Sequence, residues 1–398
     1  MVRSHSSHPV LLTGSGRLAP LGLSPWAVLI VEGRIAWVGS PTEAPRSDAE
    51  RIDLGSALVT PGLVDSHTHP AFAGDRADEA AARLEGAPYT GGGILRTVAS
   101  TRAADDAKLE ELVEGRLREA IAAGTTTVEC KSGYGLSLEE ELRHLRLIGR
   151  VAERLPIRVV RTLLAAHAVP PEASSMSDYA AHVAEEIVPA AAAEGLAEFV
   201  DVFCDEGFFD LSATERVARA ARASGLGIRL HADQLVNTGA TLLGARLHAA
   251  SVDHLEQLDA AGVRALVASS TVATLLPAPT LVIRARMPPA RGLIDAGATV
   301  ALASDANAGT FGQFGAMPLV IGLGATLLRM TVTESLTAAT AGAAAALGMG
   351  DATGALREGM AADLVAWDAE HEGAFALSLG SVRPHRMWIG GREVGFRA

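Results

Sequence analysis

The sequence contains little cysteine and no long apolar segment. Its only two cysteines among 398 residues, Cys130 and Cys204, lie inside apolar runs, so they do not form a disulfide framework. No charge-free stretch of about 20 apolar residues occurs, as a membrane span would require. Residues 1–14 lack the apolar core of about 7 to 15 residues that a signal peptide needs. We therefore expect a cytoplasmic protein that neither spans a membrane nor is exported.

Positive charge is also scarce. The chain has 34 lysines and arginines against 46 aspartates and glutamates, a net charge of −12 at pH 7. An acidic protein is poorly suited to nucleic acid or an anionic membrane, so we expect a small-molecule partner. Apolar residues make up 48% of the chain, enough for a large core. The length allows one large α/β domain with an appendage, or two or three smaller domains.

Between residues 61 and 356, apolar runs typical of buried strands alternate with amphipathic stretches typical of helices, such as 138–154 and 212–224. No G-x-G-x-x-G motif follows the first run, which weakens the case for a dinucleotide-binding open sheet. Eight continuously apolar runs favour a parallel (β/α)8 TIM barrel. The predicted strands are 63–69, 125–132, 157–167, 199–206, 227–233, 250–255, 271–277 and 299–305.

Both ends of the chain have the character of short β-strands and turns. We predict that residues 1–60 and 357–398 form one small β-sandwich-like domain, flanking a barrel of residues 61–356. The strongest signals are a hairpin of 27–31 and 34–39 joined by Glu32-Gly33, and two strands, 362–367 and 385–389, before Gly390-Gly391.

Polar residues recur at the predicted carboxyl ends of the strands, where barrel enzymes place their chemistry. Singly, a histidine there is more often a hydrogen-bonded structural residue, and an aspartate is more often a helix cap. Their convergence at one end of the barrel outweighs these readings. The residues are His67, His69, Lys131, His167, Asp205, Glu206, His231, His254 and Asp305.

His67 and His69 stand two residues apart in an extended segment, so both imidazoles point to the same side. With His231 and Asp305 they form a donor set that suits Zn²⁺ or iron and leaves a position for water. A metal ion in such a site would activate its bound water as a nucleophile, so the predicted reaction is hydrolysis. We expect Asp305 to take a proton from the water, and His254 to orient the nucleophile or stabilise the oxyanion.

Two sets of motifs resemble those of known enzymes. Residues 61–69 and 354–364 are similar to motifs of the amidohydrolase superfamily, the metallo-dependent hydrolases. A second set is more specific, and by it the sequence resembles the imidazolonepropionase family. That set comprises residues 72–79, 91–94, 131–136, 166–171, 231–234 and 253–256.

This resemblance implies hydrolysis of the lactam C–N bond of 4-imidazolone-5-propanoate to N-formimidoyl-L-glutamate, a step of histidine degradation. It implies one zinc or iron ion per subunit, held by His67, His69, His231 and Asp305, and a homodimer. Gln234 would join His254 and Asp305 as a catalytic residue. The implied substrate pocket is lined by Arg76, Tyr134, His167, Gln234, Asn307, Gly309 and Thr310.

Arg76 and Tyr134 each have two interpretations. A guanidinium at Arg76 suits the propionate of such a substrate, but an ordinary surface ion pair with Asp75 or Asp78 is the alternative. Glycines on both sides of Tyr134 allow a sharp turn that presents its ring. The alternative there is a plain aromatic residue in a loop.

Lys131 raises the question of a second metal, because some relatives bridge two ions with a carboxylated lysine. That lysine lies on the fourth barrel strand of those enzymes, whereas Lys131 ends the second predicted strand. We therefore favour one metal ion. Lys131 is then expected either to bind an anionic group or, the interpretation we favour, to form a buried ion pair with Glu129 or a neighbour.

The sequence departs from the family pattern in two places. Only Thr90 separates Tyr89 from the three glycines that follow, so we expect a shortened loop over the site. Ala308 stands where a proline is usual, and the lost backbone restraint should make that loop more flexible and weaken substrate binding.

The sequence leaves three other functions open. A deaminase of amino-heterocycles fits less well, because Gln234 stands near where such relatives carry a titratable glutamate. A cyclic-imide hydrolase would need two metal ions and a modified lysine. A catalytically silent, metal-binding regulatory protein is the non-enzyme alternative, and the intact set of site residues argues against it.

Overall fold

The structure, a computed structural model, describes residues 8–87 and 93–395. The predicted short loop after Tyr89, including Gly91 and Gly92, lies outside the described residues. Within these two ranges, no helix has both the length and the apolar character needed to cross a membrane.

The described residues form sixteen strands and fifteen α-helices. The strands are β1 Val10–Gly14, β2 Trp26–Val31, β3 Arg34–Gly39, β4 Glu50–Asp53, β5 Val59–Pro61, β6 Leu63–Asp65, β7 Thr125–Lys131, β8 Arg158–Ala166, β9 Phe199–Cys204, β10 Gly227–Ala232, β11 Ser251–His254, β12 Val272–Leu275, β13 Val300–Leu302, β14 Leu364–Trp367, β15 Pro384–Ile389 and β16 Arg392–Val394. The helices are α1 Ala77–Leu84, α2 Gly93–Ala103, α3 Asp106–Ala122, α4 Leu138–Ala152, α5 Met176–His182, α6 Val188–Ala193, α7 Leu211–Ala223, α8 Ala240–Arg246, α9 Ala260–Val267, α10 Pro277–Val282, α11 Ala290–Asp295, α12 Met317–Thr326, α13 Val332–Thr337, α14 Ala343–Ala346 and α15 Ala374–Leu377. A 3₁₀ turn, Pro41–Glu43, and two π-helical turns, Val183–Ile187 and Ala338–Gly342, complete the elements.

Strands β6 to β13 form one parallel sheet in sequence order, with helices between them, which confirms the predicted (β/α)8 barrel. All eight predicted strands are present, but each ends one to four residues earlier than predicted. Their last residues leave the hydrogen-bonded ladder and turn at the rim of the barrel. The first and last predicted strands differ most, because residues 66–69 and 303–305 lie beyond β6 and β13.

The first and last strands meet at their carboxyl ends. The amide of Asp305 donates to the carbonyl of His67 at 3.0 Å, and the amide of His69 donates to the carbonyl of Ala306 at 2.9 Å. These two bonds bring the first and last strands of the barrel together just beyond their ladders. They also place the predicted ligands from the two ends of the barrel sequence side by side.

Two further sheets come from the chain termini, as predicted. Strands β1 to β4 form one sheet, and β5 pairs with β14 to β16 in the other. The predicted Glu32-Gly33 turn joins β2 and β3, with φ of +49° and +77°, a conformation that suits a tight hairpin. Trp26 and Trp388 share one apolar core, so residues from both termini pack together. The boundaries at 60/61 and 356/357 stay predictions.

Asp65 and Ser304 form a buried clamp next to the meeting point of the first and last strands. The Ser304 amide donates to Asp65 Oδ1 at 3.0 Å, and the Ser304 hydroxyl donates to Oδ2 at 2.6 Å. Both residues are fully buried. The clamp therefore joins the segments that lead to His67 and Asp305.

We predict that Ser304→Ala lowers the free energy of unfolding by about 2 kcal/mol, because it leaves a buried carboxylate without one of its donors. Urea unfolding measures the change. Ser251→Ala is the matched control, since the Ser251 hydroxyl is equally buried and has no hydrogen-bond partner among the described residues. Equal effects of the two substitutions would contradict a stabilising role for the clamp.

Candidate metal centre and active site

Four predicted ligands converge at the carboxyl end of the barrel. His67 Nε2 lies 3.2 Å from both His69 Nε2 and His231 Nε2. Asp305 Oδ1 lies 3.3 Å from His69 Nε2 and 3.6 Å from His67 Nε2. All four side chains are buried. The ligand atoms of His67, His69 and Asp305 are close enough to bind one ion together, and those of His67, His231 and His254 form a second such group that shares His67.

Buried carboxylates orient two of these imidazoles. His67 Nδ1 lies 2.7 Å from Asp253 Oδ2, and His231 Nδ1 lies 3.0 Å from Asp201 Oδ2. A carboxylate next to Nδ1 favours the tautomer that carries its proton there, which leaves a lone pair on Nε2. With that tautomer on both rings, the two Nε2 lone pairs face each other at 3.2 Å, an arrangement that a cation between them would stabilise. The donor set therefore fits a divalent metal ion.

The local electrostatics keep the donors in the states that a metal requires. Burial lowers the pKa of His67 well below its usual range, and Lys131 and His231 lower it further, so this imidazole is neutral. Burial alone would raise the pKa of Asp305, but the hydrogen bond and charge of His69 outweigh it and the pKa falls. Asp305 is therefore ionised at neutral pH.

His254 lies next to the four predicted ligands. Its ring centroid is 5.3 Å from that of His231 and 5.8 Å from that of His67. Burial alone would lower the pKa of His254, but the negative charge of Glu256, 3.5 Å from Nδ1, and that of Asp305 raise it on balance. This shift favours the protonated form of His254.

Unusual backbone conformations place these side chains. His254 has φ of +85° and Asp305 has φ of +48°, in the left-handed region that non-glycine residues seldom adopt. Such conformations persist only where the surrounding structure enforces them, and they are concentrated at functional sites. Here they turn the last residue of β11, and a residue just beyond β13, toward the cavity.

A cavity of about 330 Å³, including its mouth, opens above the cluster. Most of the predicted site residues contribute to its wall, and two apolar residues, Ile94 and Phe203, were not predicted. The lining consists of His69, Arg76, Ile94, Tyr134, His167, Phe203, His231, Gln234, His254, Asp305, Asn307 and Thr310.

Arg76 brings a cation into this cavity. The side chain is only 4% exposed, and its Nε and Nη1 have no hydrogen-bond partner among the described residues. The carboxylate of Asp78 pairs with Arg96 instead, so the alternative of a surface ion pair with Asp78 is wrong. The nearest carboxylate is that of Glu79, at 3.9 Å. Arg76 is therefore available for an anionic ligand.

Gly309 makes room for this guanidinium, although it does not line the cavity itself. A Cβ atom at Gly309 would lie 1.4 Å from Arg76 Nη2, so only glycine allows this approach. The Gly309 carbonyl also accepts a hydrogen bond of 2.7 Å from Arg83. Gly309 thus positions Arg76 through its missing side chain.

Tyr134 and His167 form the wall beside His69. His167 Nδ1 lies 2.8 Å from the Gly133 carbonyl oxygen. Because a carbonyl oxygen can only accept a hydrogen bond, Nδ1 carries the proton and Nε2 is left as the acceptor nitrogen. The Tyr134 ring is buried, with its centroid 5.2 Å from that of His167. Tyr134 is therefore part of the pocket and not a plain aromatic residue in a loop.

The side chain of Asn307 holds its own loop together. Its Oδ1 accepts hydrogen bonds from the amides of Gly309 and Thr310 at 2.7 and 2.9 Å. Its Nδ2 donates to the Asp305 carbonyl and to the Thr310 hydroxyl at 2.6 and 2.7 Å. These bonds cross-link the loop that contains Ala308. The polar atoms of Asn307 are thus occupied in shaping the pocket.

Asp205 and Glu206, predicted at the end of the fourth strand, do not line the cavity. Glu206 is exposed, whereas Asp205 is buried. Its Oδ2 accepts hydrogen bonds from the backbone amides of Gln234 and Leu235, each at 2.8 Å. Asp205 therefore fixes the backbone that presents Gln234 to the cavity.

Lys131 lies below the cavity and is fully buried. Its Nζ donates to Glu129 Oε1 and to Asp201 Oδ2, both at 2.7 Å. The ion pair with Glu129 that we favoured is therefore present. A carboxylated lysine at this position would place a third negative group between two carboxylates.

Comparison with known proteins identifies the family. A profile described as the Amidohydrolase family matches residues 58–394. The chain is 45% identical over 368 residues to imidazolonepropionase from Rhizorhabdus wittichii, covering 90% of this chain and 92% of that protein. It is 44% identical over 374 residues to imidazolonepropionase from Vibrio cholerae, covering 92% of each. The chain belongs to the imidazolonepropionase family of amidohydrolases. It is a hydrolase, as its sequence motifs predicted.

More distant solved structures share the fold. An adenosine deaminase from Xanthomonas campestris with bound zinc has a TM-score of 0.74 at 20% identity, covering 96% of this chain and 92% of its own. A 5-methylcytosine deaminase from Klebsiella pneumoniae has a TM-score of 0.77 at 18% identity, covering 98% of each chain. These similarities support the barrel with its terminal sheets, and carry no information about the substrate.

Proposed function

We propose that the protein hydrolyses the lactam C–N bond of 4-imidazolone-5-propanoate to give N-formimidoyl-L-glutamate, in histidine degradation. The observation that carries this proposal is Arg76, a buried guanidinium with free N–H groups in the wall of a cavity above the histidine cluster. Such a group suits a carboxylate, and the propionate of this substrate supplies one. The site thus has a place for the reacting ring and a place for its anionic tail.

His67, His69, His231 and Asp305 would hold one zinc or iron ion per subunit. When bound there, a divalent ion would lower the pKa of a water molecule towards about 7 and polarise the ring carbonyl. We expect the protein to act in the cytoplasm as a homodimer on this small molecule, without nucleic acid or membrane partners.

Side chains of the protein carry out the proton transfers and stabilise the developing charge. Asp305, which is ionised, accepts a proton as water oxygen bonds to the lactam carbon. His254, whose raised pKa favours the charged form, donates a hydrogen bond to the oxygen that gains charge. The ring C–N bond then breaks, and the proton held by Asp305 passes to the departing nitrogen.

The other pocket residues orient the substrate. Gln234 supplies a neutral amide that is positioned by Asp205 and hydrogen-bonds the ring without titrating. His167, Tyr134 and Thr310 line the same cavity as His254 and Arg76, and would enclose the ring. Their burial limits the access of further water to the reacting atoms.

A deaminase of amino-heterocycles is the main alternative, since the barrel is shared with such enzymes. Two residues disfavour it. Gln234 does not relay a proton as a glutamate would, and a neutral heterocycle has no group that needs the guanidinium of Arg76.

We predict metal-dependent turnover. The test generates imidazolone propionate from urocanate with a urocanase, and compares its decay with metal-loaded protein and with chelated protein. Loss faster than the spontaneous rate, with formimidoylglutamate as product, is expected only with metal. If folded, metal-loaded protein does not accelerate decay, the assignment is wrong, and cyclic imides and amino-heterocycles are the next substrates to assay.

We predict that His254→Asn lowers kcat by roughly 10²- to 10⁴-fold, the usual contribution of a positioned proton donor, and leaves the metal content unchanged. Steady-state kinetics and metal analysis measure the two effects. His182→Asn, at a partly buried histidine that does not line the cavity, is the matched control. Unchanged turnover would remove the catalytic role of His254, and loss of metal would instead make it a ligand.

We predict that Gly309→Ala raises KM by roughly 10- to 100-fold, because the new methyl group displaces the Arg76 guanidinium from its position, at a cost of about 1.5 to 3 kcal/mol in carboxylate binding. Gly312→Ala in the same loop is the control, since its Cβ would meet only the Asn307 carbonyl, at 4.0 Å. A Gly309→Ala enzyme with wild-type KM would show that Arg76 does not bind the propionate.

A further inference from the structure

We infer that Glu129, Lys131 and Arg229 are positioning residues that join two of the proposed metal-binding histidines, His67 and His231, into one closed circuit of buried polar side chains. None of the three touches the cavity. The inference rests on the proposed metal site. It explains how the chain fixes the orientation of two proposed metal ligands relative to each other.

The first half of the circuit runs from His67 to Glu129. His67 Nδ1 lies 2.7 Å from Asp253 Oδ2, and the same oxygen lies 2.9 Å from Arg229 Nη2. Arg229 Nε then lies 3.1 Å from Glu129 Oε1. The carboxylate that orients His67 is thus itself held by a guanidinium.

The second half returns from Glu129 to His231. Lys131 Nζ lies 2.7 Å from Glu129 Oε1 and 2.7 Å from Asp201 Oδ2. Asp201 Oδ2 lies 3.0 Å from His231 Nδ1, and His231 Nε2 lies 3.2 Å from His67 Nε2. The circuit therefore closes at the proposed metal position.

Backbone contacts anchor this circuit to the barrel. Arg229 donates to the carbonyl of Ser66, the residue before His67, at 2.6 Å, and to the carbonyl of Ala346 at 2.7 Å. The Thr162 hydroxyl donates to Glu129 Oε1 at 2.6 Å. Glu129 is therefore fixed between two cations, although it contacts neither histidine.

The charges of the circuit argue for a positioning role. Three carboxylates and two cations, all fully buried, carry a net charge of −1. Buried ion pairs seldom stabilise a fold more than apolar residues of the same size would, because desolvation offsets their attraction. Partners beyond the metal ligands, in contrast, set ligand orientation and metal affinity. We therefore expect the circuit to act on metal binding more than on folding.

The test measures Zn²⁺ affinity by competition with a chromophoric chelator, and the visible spectrum of the Co²⁺-loaded protein. Glu129→Gln, which touches no proposed ligand, should weaken Zn²⁺ binding roughly 10- to 100-fold and alter the Co²⁺ spectrum. Lys131→Met should act similarly, and Lys131→Arg should restore part of the affinity. Combining Glu129→Gln with Lys131→Met should weaken binding by less than the product of the two single effects, because both break one circuit.

Arg158→Met is the matched control. It removes a different, partly buried ion pair, between Arg158 of β8 and Asp363 just before β14 at 2.9 Å, that contacts no member of the circuit. Zn²⁺ affinity should stay at the wild-type value. Thermal unfolding without metal identifies variants that do not fold. If Glu129→Gln does not fold, Thr162→Val, which removes only the hydroxyl bond to Glu129, takes its place.

The outcomes separate the inference from the proposed function. Wild-type protein that binds no Zn²⁺ would overturn the metal site and the circuit together. Wild-type protein that binds Zn²⁺, with a folded Glu129→Gln protein of equal affinity and the same Co²⁺ spectrum, would overturn the circuit alone. Selective weakening in the circuit variants supports it.

Discussion

The repulsion between imidazole lone pairs inside the barrel is the constraint on which the rest of the site depends. Carboxylates next to two Nδ1 atoms leave the Nε2 atoms of His67 and His231 facing each other at 3.2 Å. A cation between two lone pairs at that distance removes their repulsion, and the donor set fits a divalent metal ion. The strained backbone of Asp305 and the buried charges below the site are consistent with a structure organised around that cation.

The fold provides this arrangement by bringing its first and last strands together at the functional end. The amide of Asp305 bonds to the carbonyl of His67, so the same contact that joins the strands sets the carboxylate beside the imidazoles. Across the cavity, Gly309 lets the guanidinium of Arg76 lie against the backbone. In the proposed function, these two features receive the reactive ring and the anionic tail of the substrate.

Much of this architecture is predictable from sequence, because it rests on local patterns. Eight apolar runs predicted the barrel, and polar residues at strand ends predicted the cluster of His67 and His231. Local patterns do not distinguish Asp205, which binds backbone amides, from exposed Glu206.

The missed contributions depend on contacts between distant segments. Phe203 and Ile94 look like ordinary core residues in sequence, although strand alternation places Phe203 beside His231 in the barrel.

Zinc K-edge X-ray absorption of the loaded protein tests the central claim most directly. The account predicts three imidazole nitrogens at about 2.0 to 2.1 Å and a carboxylate oxygen. A zinc ion with sulfur ligands, or with fewer than three imidazoles, would contradict it.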